Sequence, residues 1–127
     1  EFGDLELVAE VDAGLRGSRA EDVEWMLAHG GSRMEVIDSG GGRGYVVHRK
    51  NRVSLLGATD EGTAALLLWR FLTAAEGKAS VWCLTAEQDW AVRVALAARL
   101  RVVPAGPLFV DGLDRPPGPW IPDGWYF

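Results

Sequence analysis

Three β-prone runs lie so close together that the middle of this chain has one economical way to pair. Met34, Val36 and Ile37 form the first, which stops at the turn signal Ser39-Gly40-Gly41-Gly42. Gly44–His48 (GYVVH) is the second, and Lys50-Asn51 is the turn before the third, Arg52–Ala58 (RVSLLGA). Connections this short cannot carry a parallel crossover, so the three runs should form an antiparallel meander.

Two helices should precede the meander. Leu5, Val8, Val11 and Leu15 recur at helical spacing, and Gly17 breaks the pattern. Ser18 with Glu21 reads as a capping box ahead of Val23, Met26 and Leu27, and Gly30-Gly31 ends that helix. Beyond the meander the periodicity returns to helical. Thr59 or Asp60 can cap a helix over Gly62–Ala75, with Gly77 placed for a left-handed terminator. Ser80–Leu84 (SVWCL) reads as a buried strand, so Arg52–Leu84 should be a right-handed parallel crossover. Thr85 and Gln88 form a second capping box, opening a helix through Trp90, Val94, Leu96 and Leu100. Val102–Val110, interrupted by Pro104 and Pro107, reads as an edge strand before an aromatic tail. The expected order is α-α-β-β-β-α-β-α-β: an α/β (α+β) domain with a mixed, mostly antiparallel sheet and helices on both faces.

A chain of 127 residues suits one domain, residues 1–127. With 48 % apolar and 24 % charged residues it has an ordinary globular composition. Its net charge of −5 lacks the electrostatic footprint of a phosphate-backbone binder, so no nucleic-acid partner is expected. The apolar runs Ala64–Trp69 and Val94–Ala98 are far below the ~20 residues of a membrane span. One cysteine, Cys83, cannot make an internal disulfide and offers no metal cluster. The opening Glu1-Phe2-Gly3 is no signal peptide and looks like a fragment start, so the cytoplasm is the expected compartment.

Charge is uneven. Residues 1–40 hold ten acids, Asp12 among them, and three bases, whereas 43–52 hold Arg43, Arg49, Lys50 and Arg52 with no acid. A solvated acidic helical face beside a basic hairpin tip is the simple reading. A basic rim for an anionic ligand or acidic partner is the sharper one.

Few residues point to chemistry. Gly40-Gly41-Gly42 with Gly44 has the look of a phosphate loop but joins two strands, where a helix N-terminus is required. Leu56-Gly57-Ala58-Thr59-Asp60-Glu61-Gly62-Thr63 does join a strand to a helix, and free amides there favour anions. Asp60 and Glu61 already occupy that positive end, which makes capping the favoured role. His29 and His48 stand apart from any nucleophile, Cys83 reads as an inert core thiol, and Glu87 and Asp89 suit a helix start. Trp25, Trp69, Trp82 and Trp90 read as core. Trp120, Trp125, Tyr126 and Phe127 must pack on their own domain, another domain or a second copy.

In their order these segments resemble a known family. GYVVHRKNRVSLLGA, GTAALLLWRFL, SVWCLT and TAEQDWAVRVALAARL follow the back half of the GNAT N-acetyltransferase fold. More narrowly, the chain resembles the carboxy-terminal GNAT-like half of tandem acetyltransferases of actinobacterial type. Asp12, the pair Gly17 and Arg19, Pro104–Phe109 and Trp120–Phe127 match features of that half. The resemblance implies transfer of acetyl from acetyl-CoA to an amine, with an N-terminal GNAT half or a second copy as partner. It implies coenzyme contacts at Leu56, Gly57, Ala58, Gly62 and Thr63, and no metal.

The departures are specific. Where the family has a glycine- and arginine-rich pyrophosphate loop, this chain has Thr59-Asp60-Glu61-Gly62-Thr63, whose carboxylates repel a diphosphate. The family's asparagine corresponds to Gln88, its general-acid tyrosine to Ala95, and its helix-ending glycine and phenylalanine to Arg99 and Leu100. No glutamate base lies within Arg52–Ala58, so no catalytic residue is assigned. Three readings follow: a half that shapes the substrate side or holds its partner, a domain that itself binds acetyl-CoA weakly and catalyses through unassigned residues, and a ligand-sensing or protein-interaction module.

Overall fold

The computed structural model describes residues 2–15, 20–29, 31–81, 84, 86–101 and 118–121. Helices α1 (Phe2–Ala13) and α2 (Ala20–His29) come first, followed by strands β1 (Arg33–Ser39), β2 (Gly42–Arg49) and β3 (Arg52–Ala58). Helix α3 (Glu61–Ala74) follows; a 3-10 turn, Ala86–Gln88, leads into α4 (Asp89–Ala97), and β4 (Trp120–Ile121) comes last. The fold is mixed α+β, and the expected meander is present: β1, β2 and β3 pair antiparallel in sequence order. Lys50 and Asn51 turn between β2 and β3 with φ of 51° and 60°, the left-handed pair that matches the twist of a two-residue hairpin.

Strand alternation divides the core in two. Tyr45, Val47 and Leu55 pack with Leu7, Val8 and Val11 of α1 and Val23 and Met26 of α2. Val46, Leu56 and Ala58 pack on the other face with Leu67, Leu68 and Phe71 of α3 and Trp90 of α4. Val53 and Leu55 break strict alternation, facing opposite sides although two residues apart. The register shift between Val47 and His48 explains this: Val47 faces Leu55 but His48 faces Val53, leaving Ser54 as an extra bulge residue.

Several expectations need correcting. Trp25 and Trp69 are 54 % and 42 % exposed and belong to no core cluster. The buried stripe of α3 is Thr63, Ala64, Leu67, Leu68 and Phe71, and Trp69 falls beside it. Trp25 instead stacks on His29, with ring centroids 5.1 Å apart. Trp90 is core, as expected. Of the strand read over Ser80–Leu84, the described residues show one parallel bridge, between Ser80 and Arg52, with Val53 N–H donating to Ser80 O, and Trp82 and Cys83 lie outside them. Val81 and Leu84 pack against the core without strand structure. Gly77 adopts a φ of 81°, but α3 has already ended at Ala75, whose N–H bonds Phe71 O.

Helix α4 also stops before Leu100. Arg99, at φ 67°, closes it by donating to Leu96 O while Leu100 N–H reaches Ala95 O. This is the Schellman pattern, with an arginine in the left-handed position that glycine fills most cheaply. Part of the tail, Trp120–Ile121, is a strand on β3. The readings at Arg16, Gly17, Ser18, Arg19, Gly30, Trp82, Cys83, Thr85, Val102–Val110, Trp125, Tyr126 and Phe127 lie outside the described residues.

Candidate functional site

The junction from β3 to α3 gathers the five residues to which the family resemblance points. Asp60 has extended backbone and caps α3: its Oδ1 accepts from Thr63 N–H at 2.7 Å and its Oδ2 from the Thr63 hydroxyl at 2.8 Å. Thr59 Oγ1 accepts from Arg43 N–H at 3.0 Å, and Thr59 N–H donates to Arg43 O at 2.8 Å. The start of β2 is thereby tied to the start of the helix. The bond from Thr63 N–H, then that from its hydroxyl, pulls the Asp60 carboxyl below its ordinary 3.8.

That shift fixes a pH dependence. A depressed folded pKa contributes stability that is present above 3.8 and is lost as pH falls through the lower folded value. Asp60→Asn keeps a good capping side chain while removing the charge. Its unfolding free energy should differ from that of the parent chain at neutral pH, and the gap should close in acid. Asp60→Ala removes the cap itself and should cost about 0.5–2 kcal/mol in denaturant titrations.

Close packing explains two glycines of the tempting run. A Cβ on Gly42 would lie 1.9 Å from Thr63 Oγ1 and 2.6 Å from Asp60 Oδ2. One on Gly44 would come within 2.9 Å of Ala58 Cβ, Gly57 O and Leu67 Cδ1. Gly40 and Gly41 form the turn and Gly42 begins β2. The run is a hairpin pressed against a helix cap, with no helix N-terminus of its own.

The β3 side of the junction is covered too. Ala58 N–H donates to Pro119 O at 3.0 Å, Gly57 pairs with Trp120, and Leu56 pairs with Ile121. The Trp90 indole N–H donates to Gly118 O at 2.7 Å, and Ile121 is wholly buried.

Leu56 and Ala58 are fully buried, Gly57 lies under the Tyr45 ring, and Thr63 is 8 % exposed. Gly62 alone of the five is solvent-exposed. Gln88 and Ala95 are buried on the α4 side, and Ala95 has no proton to donate. The basic run does not form one rim. Arg49, Lys50 and Arg52 stand at the β2–β3 turn, whereas Arg43, at the other end of β2, is bound by Glu10 and by Asp38 at 3.0 Å. His29 stays on α2, and His48 lies against Phe71 with ring centroids 5.3 Å apart, so neither histidine is part of the junction.

Asp12 is not on a solvated face. It is fully buried, and its Oδ1 accepts from the Tyr45 hydroxyl at 2.5 Å. Its position within the stripe Val8, Val11, Leu15 was the available sequence signal. Nothing in the sequence marked Trp90 as a donor or Gly118 and Pro119 as acceptors.

No group of three or more metal-ligating side chains occurs among the described residues, and none of their helices is long and apolar enough to cross a membrane. No protein-family model, curated protein or solved structure matches the chain.

Proposed function

We propose that this chain is a GNAT-like domain serving an acetyltransferase that moves acetyl from acetyl-CoA to an amine. Its role is to shape the substrate side or to hold a partner, an N-terminal GNAT half or a second copy. The coenzyme is not held by this domain. One observation carries the reading: the donors that a coenzyme would use at the β3–α3 junction are taken by the chain's own oxygens. Thr63 N–H is held by Asp60 and Ala58 N–H by Pro119.

Electrostatics supports it further. Asp60 and Glu61 place carboxylates at the helix end where a diphosphate would have to sit, and like charges there repel. Ala95, where the resemblance calls for a phenol, cannot protonate a departing thiolate. The meander, the helix after it and the parallel bridge at Ser80 are compatible with the resemblance. Calorimetric titration of the chain with acetyl-CoA tests the proposal. No saturable heat is expected, and submillimolar affinity would overturn it.

A further inference from the structure

We propose that the β2–β3 hairpin end is a docking surface for the acidic end of a second copy of this chain, the two joined head to tail. This names a partner for the domain to hold, and it can fail independently of the acetyltransferase reading: coenzyme titration bears on that reading, self-association on this one.

Strand register sorts charge to opposite ends of the sheet. At the β2–β3 turn stand Arg49 and Lys50, and Arg33 enters from β1 opposite His48. Lys78 is brought to the same end because the segment after α3 is tied to the turn: Asn51 donates to Glu76 O and its own carbonyl accepts from Ser80 N–H at 2.9 Å. All four bases are exposed. Arg52 faces Arg49 across the last rung but is engaged within the chain and is not counted. Of the charged residues so placed, Glu76 alone is acidic. Like charges crowded on one hairpin end repel, and carboxylates arriving from outside relieve that cost. The other end is the reverse. Asp38 lies near the end of β1, Asp60 and Glu61 start α3, and Glu10 reaches the same corner through Arg43, which it shares with Asp38. Arg43 is the one base so placed, and Asp60 keeps its charge because its partners, the N–H and hydroxyl of Thr63, are neutral.

Distance decides what these ends can do. The eight residues of β2 run between them, roughly 25 Å at ~3.3 Å per residue. That is well beyond the ~8–10 Å over which charges stay coupled at ordinary ionic strength, so the ends do not neutralise each other within one molecule. Contact between two molecules does bring them together. The contact is heterologous: each copy offers its basic end to one neighbour and its acidic end to another, so copies add in line. The net charge of −5 opposes it, which makes the contact weak and best seen at salt that screens whole-molecule repulsion but not charges in touch.

Sedimentation velocity of the full chain at neutral pH tests this. At ~50 mM salt the weight-average mass should climb to about twice that of one chain by ~1 mM protein, as a millimolar contact requires, and fall back at ~500 mM salt. Reversing the basic end (Arg49→Glu with Lys50→Glu) or the acidic end (Asp38→Lys with Glu61→Lys) should leave single chains at the lower salt. Mixed in equal amounts, the two folded variants should recover association as pairs, because each supplies one intact end. A mass fixed at one chain throughout the concentration and salt series of the unmutated protein would overturn the proposal, whatever the variants do. Association that survives the higher salt, persists in either variant or is not recovered in the mixture would do the same.

Discussion

Gly44→Val is expected to destabilise the chain by about 3 kcal/mol or more, the upper range for overpacking a buried site. Gly44 is buried in β2, and its missing side chain leaves room for three atoms that a Cβ would approach to 2.9 Å. One of them, Gly57 O, is backbone and cannot swing aside. Valine adds two methyls towards Leu67 and Ala58, so β2, β3 and α3 would all have to separate. Gly41→Ala is the matched control: its Cβ would meet nothing nearer than Ser39 Oγ at 3.9 Å. The control should change stability by no more than about 0.5 kcal/mol. Urea titration of both variants decides the matter, and equal midpoints would contradict the packing described.

The second large effect concerns Asp12. Asp12→Ala removes the acceptor for the buried Tyr45 hydroxyl and leaves a space inside the cluster of α1, α2, β2 and β3. A loss of about 2–4 kcal/mol is expected from the lost hydrogen bond together with the void. Tyr45→Phe keeps the ring and its contact with Gly57 but takes a donor from the buried Asp12 carboxyl, so it too should destabilise the chain. In a double-mutant cycle the two changes should couple by about 1–3 kcal/mol. Additive losses would mean that the hydrogen bond contributes nothing to holding α1 on the sheet.

The parts of the fold legible in the sequence are those set by local chemistry. Short connections forced the antiparallel meander, Lys50-Asn51 marked its second turn, and Asp60 stood where a cap was needed. Each of these depends on neighbours within a few residues. The parts that were not legible depend on what arrives from elsewhere in the chain. Asp12 counts as a surface acid until Tyr45, 33 residues away, is seen to reach it. Trp69 satisfies an apolar pattern, yet the helix stripe covered by the sheet runs through Leu67, Leu68 and Phe71.

The bulge at Ser54 reverses which face Leu55 serves, and no single-strand pattern announces that. Gly42 read as a turn residue and Gly44 as the first of a strand, and neither reading showed that they make room for the Thr63 hydroxyl and the Leu67 side chain. The candidate junction was identified in sequence as a strand-to-helix join, and its acids as an obstacle to anions. Its covering by Gly118–Ile121 was not visible, because that segment read as tail and comes to β3 from more than 60 residues further along the chain.

An amide-resolved spectrum recorded while acetyl-CoA is added bears most directly on whether this junction is self-satisfied. The signals of Ala58, Gly62 and Thr63 should stay where they are at millimolar coenzyme. Saturable shifts at those three amides would show that neither Asp60 nor Pro119 closes the site to a diphosphate-bearing ligand.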